Sequence, residues 1–472
     1  MRAVSPSPDT PRGRRRAFQP FVLAVTVLAA SLGVVPSRGA SQPQRADASV
    51  QAFTNAVLID GTGAAAVEQA TIVVRGDRIM SAGPAVSVSI PGGARITDLR
   101  GKVLMPGLAD MHVHLMGGWD GVATDMLGYR RYLNALLYAG VTTVLDTGNV
   151  EPFVVQLRAE VAAGRLLGPR IYCVGPLIDG ADPAWPPLSR AVASVEQVPD
   201  VVRALSRDHV DLIKAYVGLS HAVLERLVEE GHKASLRVII DQWQRNGSPD
   251  LVADGIYGFA HLPTRKLSST DVELMRDRKV VFISTLSVFE SQSRRRLAHL
   301  AFLQDPLVRD TSPPKFLEGL RAEASRKLTS EEGERAQRWV GLLLNAMGNA
   351  RALVQSGVLL TAGTDAPYPG DMQGEGLHRE LELLVEAGLT PLEAISIATQ
   401  NAARFIGAND WGTIQPGKLA TLIVVDGRPD RDISQTRKVV GVYVSGRKID
   451  RDSLPLARQN DPGFEPISPV DF

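Results

Sequence analysis

Short apolar segments rich in β-branched residues alternate with helical stretches through the middle of the chain, and this alternation constrains the fold more than any other feature. Predicted helices at 126–139, 153–163 and 220–232 lie between such segments. Alternation of this kind is typical of a parallel sheet covered by helices. The predicted strands are eight, one ending at His112 and the others at 142–146, 170–175, 212–216, 237–240, 258–261, 280–284 and 358–363. Eight is the strand count of a TIM-like (β/α)8 barrel, whose chemistry lies at the carboxyl ends of its strands.

Both ends of this alternating region carry a different pattern, in which short β segments are separated by tight turns such as Asp60-Gly61. One group lies within 49–104 and the other within 412–450. We therefore predict a small β-sandwich domain built from both groups, a barrel over 105–411 and a tail over 451–472.

Residues 1–40 have the layout of an export signal, because several arginines precede the apolar run 21–30 and small residues follow it. The run is shorter than the ~20 apolar residues that a membrane span requires, so we expect no stable membrane anchor. Arg15-Arg16 resembles the twin-arginine export motif. The expected location is the periplasm or the extracellular space.

The amino-acid composition limits the classes of binding partner that we expect. The formal net charge is +1 over 472 residues, which gives no sign of a nucleic-acid-binding or membrane-surface protein. Cys173 is the only cysteine, so no intrachain disulfide can form. We expect a small-molecule substrate as partner, and the sequence is compatible with a homo-oligomer. The long helical interruption at 290–349 has two open interpretations, a lid over the site or a solvated insertion.

Several predicted strand ends carry side chains that can bind metal or transfer protons. His112 and His114 are separated by one residue, so both imidazoles project to the same side of a strand and suit a single metal ion. Lys214 lies inside an otherwise apolar strand, where a lysine must be paired, neutralised or modified. His261 ends the sixth strand and Asp365 follows the eighth. Taken singly, these two are more typical of a core histidine and a helix cap.

Together with their surroundings, these residues resemble the amidohydrolase superfamily. The resemblance is greatest to the branch that contains imidazolonepropionase-like enzymes and metal-dependent Xaa-Pro (prolidase-like) and Xaa-Arg dipeptidases. It covers nearly the whole chain after the predicted signal. The segments that carry it are 55–63, 105–114, 363–365, 377–391 and 412–420.

The resemblance implies a divalent metal cofactor, with Zn²⁺ as the expected ion and one or two ions per chain. His112, His114 and Asp365 would bind the first metal. Lys214, carboxylated by carbon dioxide, would bridge to a second metal, and His261 would belong to that second site.

Asp241 departs from the family pattern, which usually has a histidine after the fifth strand. A carboxylate is a harder ligand that can still bind zinc or manganese, so Asp241 is a candidate ligand in a substituted second site. The sequence leaves two alternatives open, an enzyme with one metal and a chain that has lost hydrolysis.

The expected reaction is hydrolysis of an amide or other C–N bond in a small molecule, with a dipeptide as the leading substrate class. Hydroxide made available by a bound metal would attack the carbonyl carbon, and Asp365 would move the proton to the leaving nitrogen. His378, Tyr216 and Trp243 are candidate substrate contacts. The alternatives are a mononuclear deaminase or cyclic-amide hydrolase, and a non-catalytic small-molecule-binding barrel with a decayed metal site.

Overall fold

The computed structural model describes residues 49–116, 128–241, 251–252 and 254–456. The predicted export signal at 1–40, residue Trp243 and most of the predicted tail lie outside the described residues. Within the described part, no helix combines the length and apolar character needed to cross a membrane.

The described chain contains strands and helices throughout. The strands, in chain order, are β1 (Val50–Leu58), β2 (Val67–Arg75), β3 (Arg78–Pro84), β4 (Arg95–Asp98), β5 (Val103–Pro106), β6 (Leu108–Val113), β7 (Val141–Asp146), β8 (Arg170–Cys173), β9 (Leu177–Asp179), β10 (Ser189–Ala191), β11 (Ile213–Ala215), β12 (Val238–Ile240), β13 (Gly258–Phe259), β14 (Val281–Ile283), β15 (Leu359–Thr361), β16 (Leu422–Val425), β17 (Val439–Val444) and β18 (Arg447–Ile449). The α-helices are α1 (Tyr129–Tyr138), α2 (Phe153–Ala162), α3 (Val198–Arg207), α4 (His221–Lys233), α5 (Ser269–Asp277), α6 (Leu286–Gln292), α7 (Pro306–Arg309), α8 (Pro314–Ser325), α9 (Ser330–Gln355), α10 (Glu375–Glu386), α11 (Pro391–Ile397) and α12 (Gln400–Ile406).

The β segments from both ends form one sheet in the order β18-β17-β16-β5-β1-β2-β3, with β4 paired to β1. Its two halves meet where β5 pairs antiparallel with β16, which places Leu104 opposite Val424 and Met105 opposite Ile423. Because side chains alternate along a strand, Leu104 and Val424 pack with Phe53 in a small separate cluster. Met105 and Ile423 instead join the main core. The β segments from both ends of the chain are thus joined in one sheet.

All eight predicted central strands form, and their pairing is parallel. They belong to two sheets, β6-β7-β8 and β10-β9-β11-β12-β13-β14-β15. Strands β9 and β10 were not predicted. Backbone hydrogen bonds also run between the sheets, from Met111 N to Ala362 O (2.9 Å) and from Asp211 N to Cys173 O (2.8 Å). The fold is thus of the α/β class, with parallel strands whose carboxyl ends face the same way.

The interruption between β14 and β15 is helical, as the sequence predicts, and comprises α6 to α9. A buried ion pair ties it to α10, because the Arg379 guanidinium donates to both oxygens of Glu290 at 2.8 and 2.7 Å. The Glu290 side chain is only 2% exposed. Arg295 Nε lies 3.6 Å from the same carboxylate and gives it secondary support.

Replacing Arg379 with methionine leaves Glu290 buried without its main partner. We expect a loss of about 3 kcal/mol in the free energy of unfolding, at the low end for a broken buried pair because Arg295 remains. Urea unfolding followed by circular dichroism measures the loss, and the exposed Arg338→Met on α9 is the control. The double variant Arg379→Met/Glu290→Leu should recover much of the stability. An Arg379→Met variant as stable as wild type would contradict this account.

Candidate metal centre and active site

The ends of β6 and β15 bring two imidazoles and a carboxylate to one point. His112 lies on β6, His114 follows that strand, and Asp365 lies in the turn after β15. Asp365 Oδ1 is 3.2 Å from His112 Nε2 and 3.0 Å from His114 Nε2. One ligand atom from each of the three lies within 4.8 Å of the others, the spacing that one metal ion requires.

The imidazoles are oriented by backbone carbonyls on their far sides. His112 Nδ1 lies 2.8 Å from Ala260 O, and His114 Nδ1 lies 2.9 Å from Gly148 O. A carbonyl oxygen can only accept, so each Nδ1 carries a proton, and a neutral imidazole in this orientation presents its Nε2 lone pair to the cluster. Two neutral imidazoles and one carboxylate are a donor set that zinc and related divalent ions bind. The residues present therefore fit a divalent metal ion.

Asp365 is held in place by close contact between the first and last of the predicted strands. Asp365 N donates to His112 O at 2.7 Å. A Cβ on Gly363 would lie 2.7 Å from His112 Cβ, so only glycine permits this approach. Asp365 itself has φ of +69°, in the left-handed region that aspartate tolerates better than most residues. The Gly363-Thr364-Asp365 motif thus fixes the position of Asp365 beside His112.

A second group of titratable side chains adjoins the first. Lys214 Nζ is 3.1 Å from His112 Nε2 and 3.7 Å from Asp241 Oδ2. The same Asp241 oxygen lies 3.1 Å from His261 Nε2. Lys214, Asp241 and His261 are each at most 2% exposed. The structure therefore brings all six predicted metal-binding residues together and places Asp241 between the lysine and the histidine.

Burial and charge set the protonation of the first group. Burial, aided by the positive charge of Lys214, lowers the pKa of His112 to about 3, so its imidazole is neutral at pH 7. Burial alone would raise the pKa of Asp365, but the adjacent His112 and His114 outweigh it and hold that pKa well below its ordinary value. Asp365 is consequently a carboxylate across the physiological range.

The predicted substrate contacts fall in different places. Tyr216 accepts a hydrogen bond from Trp185 Nε1 at 2.8 Å, and its ring centroid is 5.8 Å from Lys214 Nζ, beside the second group. His378 is fully buried, and its ring nitrogens lie 2.9 Å from Thr436 Oγ1 and 2.8 Å from Ala139 O. Both ring nitrogens of His378 are thus within hydrogen-bond distance of protein atoms, one just after α1 and one just before β17. Trp243 lies outside the described residues.

Two supporting residues were not assigned these roles from the sequence. Asp110 is fully buried and accepts hydrogen bonds from Thr364 N and Thr364 Oγ1 at 3.0 and 2.8 Å, which braces the Asp365 turn against β6. Thr285 follows β14, and its hydroxyl lies 2.8 Å from His261 Nδ1. Their position in the sequence could have revealed these roles, because both are polar residues at the carboxyl end of a predicted strand. Asp146, at the end of β7, accepts a hydrogen bond from Leu115 N at 2.9 Å and so holds the segment next to His114.

Two solved structures illustrate the similarity of the fold. A candidate prolidase from Bifidobacterium longum aligns with a TM-score of 0.70 at 24% identity, covering 88% of this chain and 97% of that one. A Xaa-Pro dipeptidase with bound methionine in its active site aligns with a TM-score of 0.67 at 21% identity, covering 85% of this chain and 100% of that one. At these identities the likeness shows the fold.

Among curated sequences, an adenine deaminase from Petrotoga mobilis is 33% identical over 103 residues, which cover 22% of this chain and 17% of that protein. An imidazolonepropionase from Deinococcus radiodurans is 34% identical over 103 residues, covering 21% of this chain and 26% of that protein. Adenine deaminase 2 from Rhizobium etli is 25% identical over 396 residues, covering 80% of this chain and 55% of that protein. The chain thus spans less than a fifth of the length of the first curated relatives it matches.

The model of the amidohydrolase family matches residues 103–246 and 345–449, which together make up more than half of the chain. The matched regions contain His112, His114, Lys214, Asp241 and Asp365. His261 lies between the two regions. On this match, the chain belongs to the amidohydrolase family.

Proposed function

We propose that this chain is a metal-dependent hydrolase that cleaves an amide or other C–N bond in a small molecule, with dipeptides as the first substrate class. One observation carries the proposal, the contact of the Asp365 carboxylate with both His112 Nε2 and His114 Nε2 within 3.2 Å. The family match supports the reaction class, and the prolidase-like fold neighbours favour the dipeptide.

Each residue of the site has a separate role in the proposed hydrolysis. A divalent ion, when bound, lowers the pKa of water toward neutrality and so makes hydroxide available. His112 and His114 present two oriented nitrogen ligands. Asp365, kept ionised, accepts the proton of the attacking water and returns it to the leaving nitrogen, which must come within hydrogen-bond reach. Its burial, at 5% exposure, limits competition from bulk water.

Two arrangements of the second group, Lys214, Asp241 and His261, are to be distinguished. In one, Lys214 is carboxylated, and it binds a second metal together with His261 and Asp241. In the other, the Asp241 carboxylate serves as counter-ion to an unmodified Lys214 ammonium and the chain holds one metal. The 3.7 Å separation of their charged atoms is compatible with either.

We propose further that β6–β8 and β11–β15 close into a TIM-like (β/α)8 barrel and that the terminal sheet belongs to a small β-sandwich domain. The bond from Met111 N to Ala362 O and the parallel bridge of Val113 with Ala366 support closure between β6 and β15. A common interior cluster also supports it, with side chains from or beside the central strands. This cluster includes Ala109, Leu145, Val174, Leu212, Ile239, Ala260 and Val281, with Leu359 packed against it.

We also propose that the protein is exported. The arginine-rich start and apolar run within residues 1–40 support this location. Fusing residues 1–48 to a reporter that is active only outside the cytoplasm would test it, with Arg15→Lys/Arg16→Lys as the variant that distinguishes the twin-arginine route.

A mononuclear deaminase or cyclic-amide hydrolase is the second candidate, favoured by the sequence likeness to adenine deaminases and imidazolonepropionase. One set of substrates distinguishes the two candidate reactions. Metal-loaded protein is incubated with dipeptides, cyclic amides and aminopurines, while free amino acid, ring-opened acid and ammonia are measured separately. Release of amino acid supports the first proposal, and ammonia or ring opening supports the second. No turnover on any member, with metal bound, would favour a binding barrel over both.

Asp365→Asn keeps the size of the side chain but removes its proton acceptor. We expect kcat to fall by roughly 10²- to 10⁴-fold, the range for loss of a general acid–base group. Circular dichroism checks the fold, and metal analysis separates lost ligation from lost proton transfer. Asp277→Asn, an exposed aspartate on α5, is the matched control. Full turnover by Asp365→Asn would remove the role given to this residue.

Lys214→Ala and Asp241→His test the occupancy of the second group. If Lys214 bridges two metals, Lys214→Ala should lower the number of metals per chain, and bicarbonate should raise that number in the wild type. If the second site is merely weakened, Asp241→His should fill it. Metals per chain are counted by atomic emission, with Lys233→Ala on the exposed face of α4 as control. Unchanged stoichiometry in both variants would contradict the two-metal arrangement.

A further inference from the structure

A hydrogen bond between two aromatic side chains lies beside the second group of titratable residues. Trp185 Nε1 donates to Tyr216 Oη at 2.8 Å. The Tyr216 ring centroid is 5.8 Å from Lys214 Nζ, which is itself 3.1 Å from His112 Nε2. Both aromatic residues are half-buried, so the Trp185–Tyr216 pair lies where the interior meets solvent.

The segment that carries Trp185 connects β9 with β10 and is fixed by a buried carboxylate. Asp179, at the end of β9, is fully buried. It accepts hydrogen bonds at 2.9, 2.9 and 2.7 Å from the backbone N–H groups of Gly180, Ala184 and Gly218. A Cβ on Gly218 would lie 2.7 Å from Asp179 Oδ1, so only glycine permits this approach. One carboxylate thus joins the segment before Trp185 to the segment after Tyr216.

The hydrogen bond within the pair determines how the Tyr216 hydroxyl can act. An indole N–H can only donate, so the Tyr216 oxygen accepts and its own hydrogen is directed away from the indole. The described residues offer that hydrogen no acceptor within hydrogen-bond distance. Burial raises the pKa of the Tyr216 phenol, and the charges of Asp241 and Asp365 raise it further, so the hydroxyl lies within electrostatic range of both carboxylates. The pair therefore leaves one oriented donor beside the site.

An oriented donor has a definite use in amide hydrolysis. When a nucleophile adds to the amide carbon, the carbonyl oxygen gains negative charge. A fixed donor next to that oxygen stabilises the transition state more than it stabilises the substrate. The Asp241 carboxylate adds a negative charge nearby, which disfavours charge on this oxygen. A hydrogen bond from the neutral Tyr216 hydroxyl would offset part of that effect.

We propose that Tyr216 donates a hydrogen bond to the carbonyl oxygen of the cleaved amide as that oxygen gains charge, and that Trp185 is the positioning residue that orients the Tyr216 hydroxyl. This inference rests on the proposed hydrolase function and adds one catalytic and one positioning residue to it. It also gives a function to the segment between β9 and β10, because that segment supplies the indole.

The test removes one hydrogen bond at a time from the metal-loaded full chain. Tyr216→Phe should lower kcat by roughly 10²-fold or more, the cost of removing one donor to a developing oxyanion, and change KM little. Trp185→Phe keeps an aromatic ring but loses the N–H, so kcat should fall by roughly 2- to 10-fold, the worth of one neutral hydrogen bond. Steady-state kinetics on the amide substrate that turns over fastest measure both changes, and circular dichroism checks each fold.

A double variant distinguishes positioning from packing. In the Tyr216→Phe background, Trp185→Phe should cause no further loss of kcat, because the hydroxyl that the indole orients is gone. Trp411→Phe is the matched control, since it removes a bond of the same kind, from Trp411 Nε1 to Tyr172 Oη at 3.1 Å, and should leave kcat unchanged. Equal losses from Trp185→Phe in both backgrounds would overturn the positioning role.

The outcomes separate the Trp185–Tyr216 pair from the hydrolase proposal. An unchanged kcat in Tyr216→Phe, or a rise in KM alone, would overturn the catalytic role and leave the hydrolase proposal intact. If the wild-type chain hydrolyses no amide, the hydrolase proposal fails. Calorimetry with a phosphonamidate dipeptide analogue, whose tetrahedral phosphorus carries a charged oxygen, then decides on the pair. Binding that weakens roughly 10-fold or more in Tyr216→Phe supports the donor role, and binding that is absent or unchanged overturns it.

Discussion

The site depends on the seam between β6 and β15, which joins residues about 250 positions apart in the chain. Asp365 N donates to His112 O at 2.7 Å, and Asp110 accepts two hydrogen bonds from Thr364. These bonds bring the Asp365 carboxylate against the two imidazoles. Without the seam, His112 and His114 would be a pair of strand-end histidines lacking the anionic ligand that defines a metal centre.

Electrostatics impose a second constraint on the same region. Lys214, Asp241 and His261 are buried together, where an isolated charge would be costly to keep. Asp241 adds a negative charge at a place where the family usually has a neutral imidazole, so it changes the charge balance available to a metal. A carboxylated lysine beside this carboxylate would need a second cation nearby, whereas an ammonium would not. The identity of a single residue thus bears on the number of ions the site can hold.

Much of the fold and of the site could be predicted from the sequence because the informative residues lie at strand ends. The eight central strands are apolar and bounded by turn residues, and residues that end parallel strands must meet at one edge. Strands β9 and β10 were missed because only three residues separate β9 from β8 and β10 has the sequence Ser-Arg-Ala, so neither stands out as a separate apolar segment. The roles of Asp110 and Thr285 depend on which strands are neighbours in space.

Gln373 has a thermodynamic consequence through its two anchoring bonds. Its amide nitrogen donates to His114 O and to Ala366 O, so one side chain joins the segment of His114 to the segment of Asp365. An ion held by His114 and Asp365 would favour the same arrangement of these two segments. Linkage then requires reciprocity, because a contact that holds the segments in this arrangement raises ion affinity by the factor by which the ion stabilises the contact. Retention of an ion would accordingly depend on a glutamine outside the ligand set.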